Sequence, residues 1–104
     1  MAYSNNNSRA AVKKFNGNSW ELVGIDGFSE NAAYYESIVL DQKGTPYVAF
    51  QDFKYNYGAT VMKFDGNSWV NVGIPGFSIK QVSQIKIAID NNDSLYVADR
   101  KSVV

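Results

Sequence analysis

The chain carries the same sequence pattern twice, 49 residues apart. Near the start VKKFNGNSWELVGIDGFS matches VMKFDGNSWVNVGIPGFS, and further on TPYVA matches SLYVA at the same spacing. Residues 12–52 align on residues 61–101 without a gap. Because two separate blocks match at one constant spacing, we infer two copies of one structural unit.

Turn residues divide one copy into four short strands. Asp, Asn and Gly cluster between runs that are rich in Val, Ile, Tyr, Phe and Trp, which is the pattern of β-hairpins. The predicted strands, labelled A to D in order, are Glu36–Leu40, Pro46–Gln51, Ala59–Phe64 and Ser68–Val72. We expect no helix longer than a turn or two.

A period near 50 residues with four antiparallel strands is typical of a β-propeller blade. We therefore predict an all-β fold of propeller type. Residues 36–73 form the one intact blade, with strands A to D. Residues 10–24 supply strands C and D alone, and residues 84–99 supply strands A and B alone.

The position of the two half blades predicts self-assembly. Two blades cannot curve into a closed ring, and unpaired strand edges invite pairing. We expect the last hairpin of one copy to complete a blade with the first hairpin of the next copy, head to tail, until the ring closes. Each chain adds two blades, so only even-bladed rings are possible, and we favour a six-bladed trimer.

Two motifs resemble known propeller repeats. The segment IAIDNNDSLYVADRKSVV resembles the NHL repeat, in which an Ile-Ala-x-Asp strand precedes a Tyr-Val-Ala-Asp strand and a return strand. The turns Phe15–Trp20 and Phe64–Trp69 are similar to kelch-like blade turns and, more loosely, to the Asp-box of sialidases. The resemblance implies a propeller fold. It implies no particular activity, because propellers host enzymes, lectins and scaffolds.

Charge and hydropathy favour neither a nucleic-acid nor a membrane partner. Ten basic residues balance ten acidic ones, and no run of like charge forms a basic patch. No apolar stretch approaches the roughly 20 residues that span a bilayer. We expect a soluble chain.

The sequence also argues against a catalytic or metal centre. It contains no histidine and no cysteine, which removes the commonest metal ligand and general base. We interpret Asp90 to Asp93 as a hydrophilic turn, since calcium needs several converging oxygens. The carboxylates form no recognisable acid and base pair. We therefore expect no metal, no cofactor and no enzymatic activity.

The two tryptophans are predicted to be structural. Trp20 and Trp69 occupy equivalent places at the start of strand D. We expect both rings to pack between neighbouring blades, with Asn18 and Asn67 stabilising the adjacent turns through side-chain hydrogen bonds.

Unrepeated aromatic residues predict a ligand site. The B-to-C and D-to-A connections lie on one rim of a propeller, and here they carry the predicted ligand-binding residues Tyr34, Tyr35, Phe53, Tyr55 and Tyr57. Rings with polar neighbours suit sugars, so we predict a carbohydrate-binding module. The alternatives are that these rings bury against the next subunit, or that the chain is a structural or protein-interaction scaffold without a ligand.

Overall fold

The structure is all-β, as the sequence predicts. A computed structural model describes residues 1–78 and 80–100, and within these residues nine strands and one short 3-10 turn, Phe53–Tyr55, are present. The tail of the NHL-like segment, residues 101–104, lies outside the described residues.

The strands form three antiparallel sheets, and in each sheet neighbours in the chain are neighbours in space. Sheet 1 contains β1 (Ala2–Ser4), β2 (Ala10–Phe15) and β3 (Trp20–Leu22). Sheet 2 contains β4 (Ala33–Leu40), β5 (Pro46–Asp52), β6 (Gly58–Phe64) and β7 (Trp69–Asn71). Sheet 3 contains β8 (Gln84–Ile89) and β9 (Leu95–Arg100).

The sequence pattern does not predict β1. This strand pairs Ala2 with Val12 in the register that Ala49 of β5 adopts with Val61 of β6. Five residues separate the paired Ser4 and Ala10, whereas seven separate the equivalent pair Gln51 and Ala59, so residues of β1 lie 47 positions before their counterparts in β5 instead of 49. A search at constant spacing therefore misses the equivalence.

Sheet 2 is buried on both faces. Side chains alternate along a strand, so successive residues contribute to opposite faces. One face, which includes Val48, Phe50 and Met62, packs on sheet 1 in a core with Ala10 and Val12. The other face packs on sheet 3; this second core contains Ala49, Ala59, Val61, Val82, Ile85 and Ile87. A strand with two buried faces reads as a continuous apolar run, as β5 does.

Trp69 joins sheet 2 to sheet 1. Its ring stacks on Phe28 with centroids 4.0 Å apart and planes at 11°, and its indole N–H donates to the Val23 carbonyl oxygen at 2.8 Å. Trp20, its sequence equivalent, is 56% exposed and contacts the Phe15 ring. Its packing role therefore stays a prediction for the assembled protein.

The loops after β3 and β7 are anchored by the same bonds 49 residues apart. The Phe28 N–H donates to the Ala10 carbonyl, and the Phe77 N–H donates to the Ala59 carbonyl. The Ser29 hydroxyl accepts from the Ala10 N–H, as the Ser78 hydroxyl does from Ala59. The repeated Gly-Phe-Ser thus fastens each loop to the start of a neighbouring strand.

The hairpin turns are stabilised by side chains at their first position, which corrects the prediction for Asn18 and Asn67. The Asn16 side chain accepts from the N–H groups of Asn18 and Ser19, and Asp65 does the same in sheet 2. A side-chain oxygen at this position reaches the backbone two residues on, which Asn18 and Asn67 cannot do from inside the turn.

Asp41 and Asp90 cap the other two hairpin turns. Each carboxylate accepts two backbone N–H bonds and one tyrosine hydroxyl bond, from Tyr47 and Tyr96 respectively. These bonds, led by the backbone N–H of Thr45 for Asp41 and of Ser94 for Asp90, lower the pKa of both carboxyl groups.

We expect Trp69→Ala to lower the free energy of unfolding by about 3–5 kcal/mol, the usual cost of truncating a core aromatic. Trp20→Ala provides the matched control, since the same ring there is exposed. At a dilution where the chain is monomeric, its loss should not exceed about 1 kcal/mol, the order of one aromatic pair. Urea titrations of both variants measure this, and equal losses would contradict the assignment.

Candidate ligand-binding site

Three of the five predicted ligand residues meet at one end of sheet 2. The Tyr34 and Tyr57 rings lie 6.4 Å apart with planes at 29°, and Phe53 lies 5.3 Å from Tyr57. All three rings are partly exposed, between 36% and 42%. We call Tyr34, Phe53 and Tyr57 the aromatic cluster. The cluster is partly open to solvent at the loop from β5 to β6.

Asp52 holds this loop in place. Its Oδ1 accepts from the Lys54 N–H at 3.2 Å and caps the 3-10 turn, while its backbone carbonyl accepts from the Tyr57 N–H. Asn56 and Tyr57 adopt left-handed backbone angles, with φ of 56° and 63°. These angles reverse the chain within five residues and bring Tyr57 back over Phe53.

Buried hydrogen bonds hold Asp52, the residue that fixes the loop of the aromatic cluster. The Thr60 hydroxyl donates to Oδ2 of Asp52 at 2.8 Å, and the Gly76 N–H donates to the Thr60 oxygen at 2.8 Å. Asp52 and Thr60 are 3% and 1% exposed. Burial raises the pKa of Asp52, although the bonds from Thr60 and Lys54 favour the ionised form. These hydrogen bonds connect Asp52, which precedes the β5–β6 loop, to Gly76 in the loop after β7.

A β-bulge separates Tyr34 from Tyr35. Tyr34 pairs with Gln51 and Ser37 pairs with Ala49, so Tyr35 and Glu36 lie opposite Phe50 alone and one residue of β4 is extra. Tyr35 has a φ of 57°. Bulges turn a side chain away from its neighbours. Tyr35 is 58% exposed and has no ring contact within residues 1–78 and 80–100. It lies beside the cluster without joining it.

Tyr55 is engaged elsewhere. It lies over the turn that contains Gly76, so close that a β-carbon on Gly76 would sit 2.5 Å from the Tyr55 Cβ. Gly76 also has a φ of +69°, a backbone angle that residues other than glycine rarely adopt. Tyr55 is half-buried by this contact. Its ligand-binding role stays a prediction, but the geometry favours a packing role.

A charged pair that sequence reasoning missed borders the cluster. The Lys54 ammonium lies 2.8 Å from the Glu30 carboxylate, and this hydrogen bond raises the pKa of Lys54. The pair connects the β5–β6 loop to the loop before β4. The sequence does contain a signal for this pair: neither charge recurs in the second copy. The positions 49 residues after Glu30 and Lys54 hold Ile79 and Val103.

An open apolar groove of about 1010 Å³ lies at the opposite ends of the strands. It separates sheet 1 from sheet 2, and its walls include Trp20, Leu22, Val23, Leu40, Pro46 and Phe64. Nothing in the sequence pattern predicts this groove. Large apolar exposure of this kind marks an interaction surface.

No protein family, curated protein or solved structure matches this chain in the comparisons made. In the part of the chain that the structure describes, no helix is long and apolar enough to cross a membrane. The same residues contain no group of three or more His, Cys, Asp or Glu side chains placed to hold a metal ion.

The pKa of Asp52 generates a pH prediction. Burial raises it in the folded protein above the value of about 3.9 in the unfolded chain, so the folded state binds the proton more tightly. The free energy of unfolding therefore falls as pH rises from the pKa of Asp52 in the unfolded chain to its higher pKa in the folded protein. In Asp52→Asn this titration is absent, and Asn5 already occupies the equivalent place before β2.

We expect the free energy of unfolding of Asp52→Asn, taken relative to the parent chain, to increase between about pH 3 and about pH 7. Urea titrations at several pH values measure the difference. A difference that stays constant across this range would show that Asp52 titrates alike in both states.

Proposed function

We propose that this chain is a β-propeller binding module that closes a ring with copies of itself and binds a carbohydrate through the aromatic cluster. The observation that carries the ligand proposal is the cluster itself: three partly exposed rings at one end of a sheet, two of them on a loop that Asp52 fixes. Loops on a rigid scaffold commonly carry binding residues.

The sheet arrangement supports the propeller proposal. Sheet 2 has four antiparallel strands in chain order, and sheets 1 and 3 cover its two faces. Propeller blades are four-stranded sheets of this order, packed face to face around an axis. The repeated anchoring bonds give successive sheets the same local connection.

The incomplete outer sheets support assembly. Within residues 1–78 and 80–100, sheet 3 has two strands, and sheet 1 has β2 and β3 with only the short β1 beside them. Residues 84–99 of one copy and residues 10–24 of another would together form a four-stranded blade. A trimer closed in this way has six blades, which is the ring we favour; a dimer would have four and a tetramer eight.

Chemistry at the cluster favours a sugar over other small ligands. The C–H faces of a sugar ring stack on aromatic rings, and its hydroxyl groups need directed polar partners. Sites of this type combine aromatic walls with a few polar groups. Here Glu30 and Lys54 border the rings, with 52% and 50% of their side chains exposed. We propose binding without catalysis, because the buried carboxylate nearby, Asp52, is committed to holding the loop.

A glycan array on the assembled protein tests the ligand proposal. We expect at least one glycan to bind, and Tyr34→Ala with Tyr57→Ala to abolish that binding without changing the far-ultraviolet spectrum. Leu40→Ala is the matched control, since Leu40 is exposed at the other end of the same strand, about 20 Å away. A double variant that binds as before would place the site elsewhere.

A scaffold role is the second candidate, favoured by the exposed apolar side chains that line the groove, such as Trp20 and Leu22. A protein that assembles but binds no glycan on the array, and that retains its assembly when Tyr34 and Tyr57 are replaced, would support this role.

A further inference from the structure

The contact between sheets 1 and 2 is a template for contact between two copies. Inside one chain, Trp69 fills a socket made by Phe28, the Val23 carbonyl and Gly24. The fit is close, because a β-carbon on Gly24 would lie 2.8 Å from the indole nitrogen. The socket therefore needs glycine at this position.

The same socket recurs 49 residues later, and no aromatic ring from residues 1–78 or 80–100 stacks in it. Val72, Gly73 and Phe77 repeat the residue types, and the Val72 and Phe77 N–H groups are bonded to β6 as Val23 and Phe28 are to β2. Phe77 is 43% exposed, whereas Phe28 is 7% exposed. Among the residues that the structure describes, no atom lies within 4 Å of a β-carbon built on Gly73. We call Val72, Gly73 and Phe77 the open socket.

Trp20 is the matching ring without a socket. It has the local geometry of Trp69, since its centroid lies 5.6 Å from Phe15, the distance that also separates Trp69 from Phe64. Gly17 and Gly66 turn the two hairpins with φ of 104° and 107°. Trp20 is nevertheless 56% exposed, and Trp69 is 9% exposed. The chain thus carries both halves of a second contact, each unfilled.

The contact between Trp69 and sheet 1 indicates which residue would fill the open socket. In the internal contact, the socket of one sheet receives the tryptophan of the next sheet along the chain. The sheet after sheet 2 is sheet 3, whose strands β8 and β9 correspond to strands A and B and include no tryptophan. In the proposed assembly, another copy supplies the third and fourth strands of this blade, and its first such hairpin carries Trp20.

We infer that Trp20 of one copy docks into the open socket of another, stacking on Phe77 and donating its indole N–H to the Val72 carbonyl. This inference rests on the proposed self-assembly and names the contact that drives it. It does not involve the aromatic cluster. Docking would also remove the Trp20 ring from the wall of the groove, whereas Leu22, like its counterpart Asn71, would stay exposed.

Complementation between two variants tests the contact. Trp20→Ala and Phe77→Ala should each raise the dissociation constant of the assembly by about thirtyfold or more, as loss of a central interface aromatic does. Mixed together, the two variants retain one intact ring and one intact socket. We expect the mixture to form a heterodimer, detected by sedimentation velocity at a concentration where each variant alone is monomeric.

Two matched controls lie beside the contact. Ile74→Ala alters an apolar side chain next to the open socket whose counterpart, Ile25, stays 67% exposed although its socket is filled. Leu22→Asn places on β3 the residue that stands at the equivalent position of β7, Asn71, which is exposed. Neither should weaken assembly.

Three results would overturn the inference: a parent chain that stays monomeric, single variants that assemble like the parent, or a mixture that does not associate. Because the measurement is mass and not glycan binding, it can fail while the ligand proposal stands. Formation of the heterodimer would also show that both variants are folded.

A separate observation, the register of β1, adds a second inference. If β9 of one copy pairs with β2 of another as β5 pairs with β6, then Ala98 faces Val12, and the pairing runs from Ala10 to Lys14. In the chain by itself β1 occupies this edge, with Ala2 opposite Val12. The structure assigns β1 the place on β2 that β9 of the neighbouring copy takes. Assembly then requires β1 to leave β2.

A reversible crosslink tests this exchange, since the chain has no cysteine of its own. Met1 and Lys13 exchange two backbone bonds, so Ala2 and Val12 form the adjacent close pair, at a separation that suits a disulfide. In the Ala2→Cys and Val12→Cys double variant, we expect the oxidised form to stay monomeric and the reduced form to assemble like the parent.

Thiol titration verifies that the bond has formed. Each single cysteine variant, treated with the same oxidant, serves as control and should assemble normally. An oxidised double variant that assembles as readily as its reduced form would show that β1 does not compete with β9.

Discussion

The stack of Trp69 on Phe28 is the contact on which the arrangement of sheets 1 and 2 depends. It combines a ring stack at 4.0 Å with a hydrogen bond from the indole to the Val23 carbonyl, so the large side chain is buried without an unsatisfied polar atom. Around it pack Val48, Phe50 and Met62 from the face of sheet 2. In the part of the chain that the structure describes, the core between sheets 2 and 3 has no such tryptophan stack, and Phe77, the counterpart of Phe28, is 43% exposed.

Repeated and unrepeated residues have different roles in this chain. The repeated Gly-Phe-Ser segments and turn caps make the same bonds in each copy, and these bonds fix the loops relative to the strands. The unrepeated residues Tyr34, Phe53 and Tyr57 gather at one end of sheet 2. Phe53 and Tyr57 belong to the β5–β6 segment that Asp52 holds in place. This division, a common frame with individual loops, is how one fold accommodates many ligands.

The two ends of the strands of sheet 2 carry side chains of different chemistry. At the aromatic cluster, polar support from Asp52 and Thr60 lies beneath partly exposed rings, with Glu30 and Lys54 at the border. At the opposite end, the groove is walled by apolar side chains with few polar neighbours. Directed polar groups beside rings suit a ligand with hydroxyl groups, whereas an apolar groove suits another protein surface.

The sequence by itself determined the strands, because glycine, asparagine and aspartate at the turns act locally and leave apolar runs of strand length between them. It could not reveal β1, whose loop to β2 breaks the constant spacing. It placed five aromatic residues near one another but could not separate Tyr34 from Tyr35, since a bulge decides which way each points. Trp20 and Trp69 show the limit most clearly. Their local sequences are nearly identical, yet one is 56% exposed and the other 9%. Burial is set by the sheet that packs alongside, and only the tertiary structure supplies that sheet.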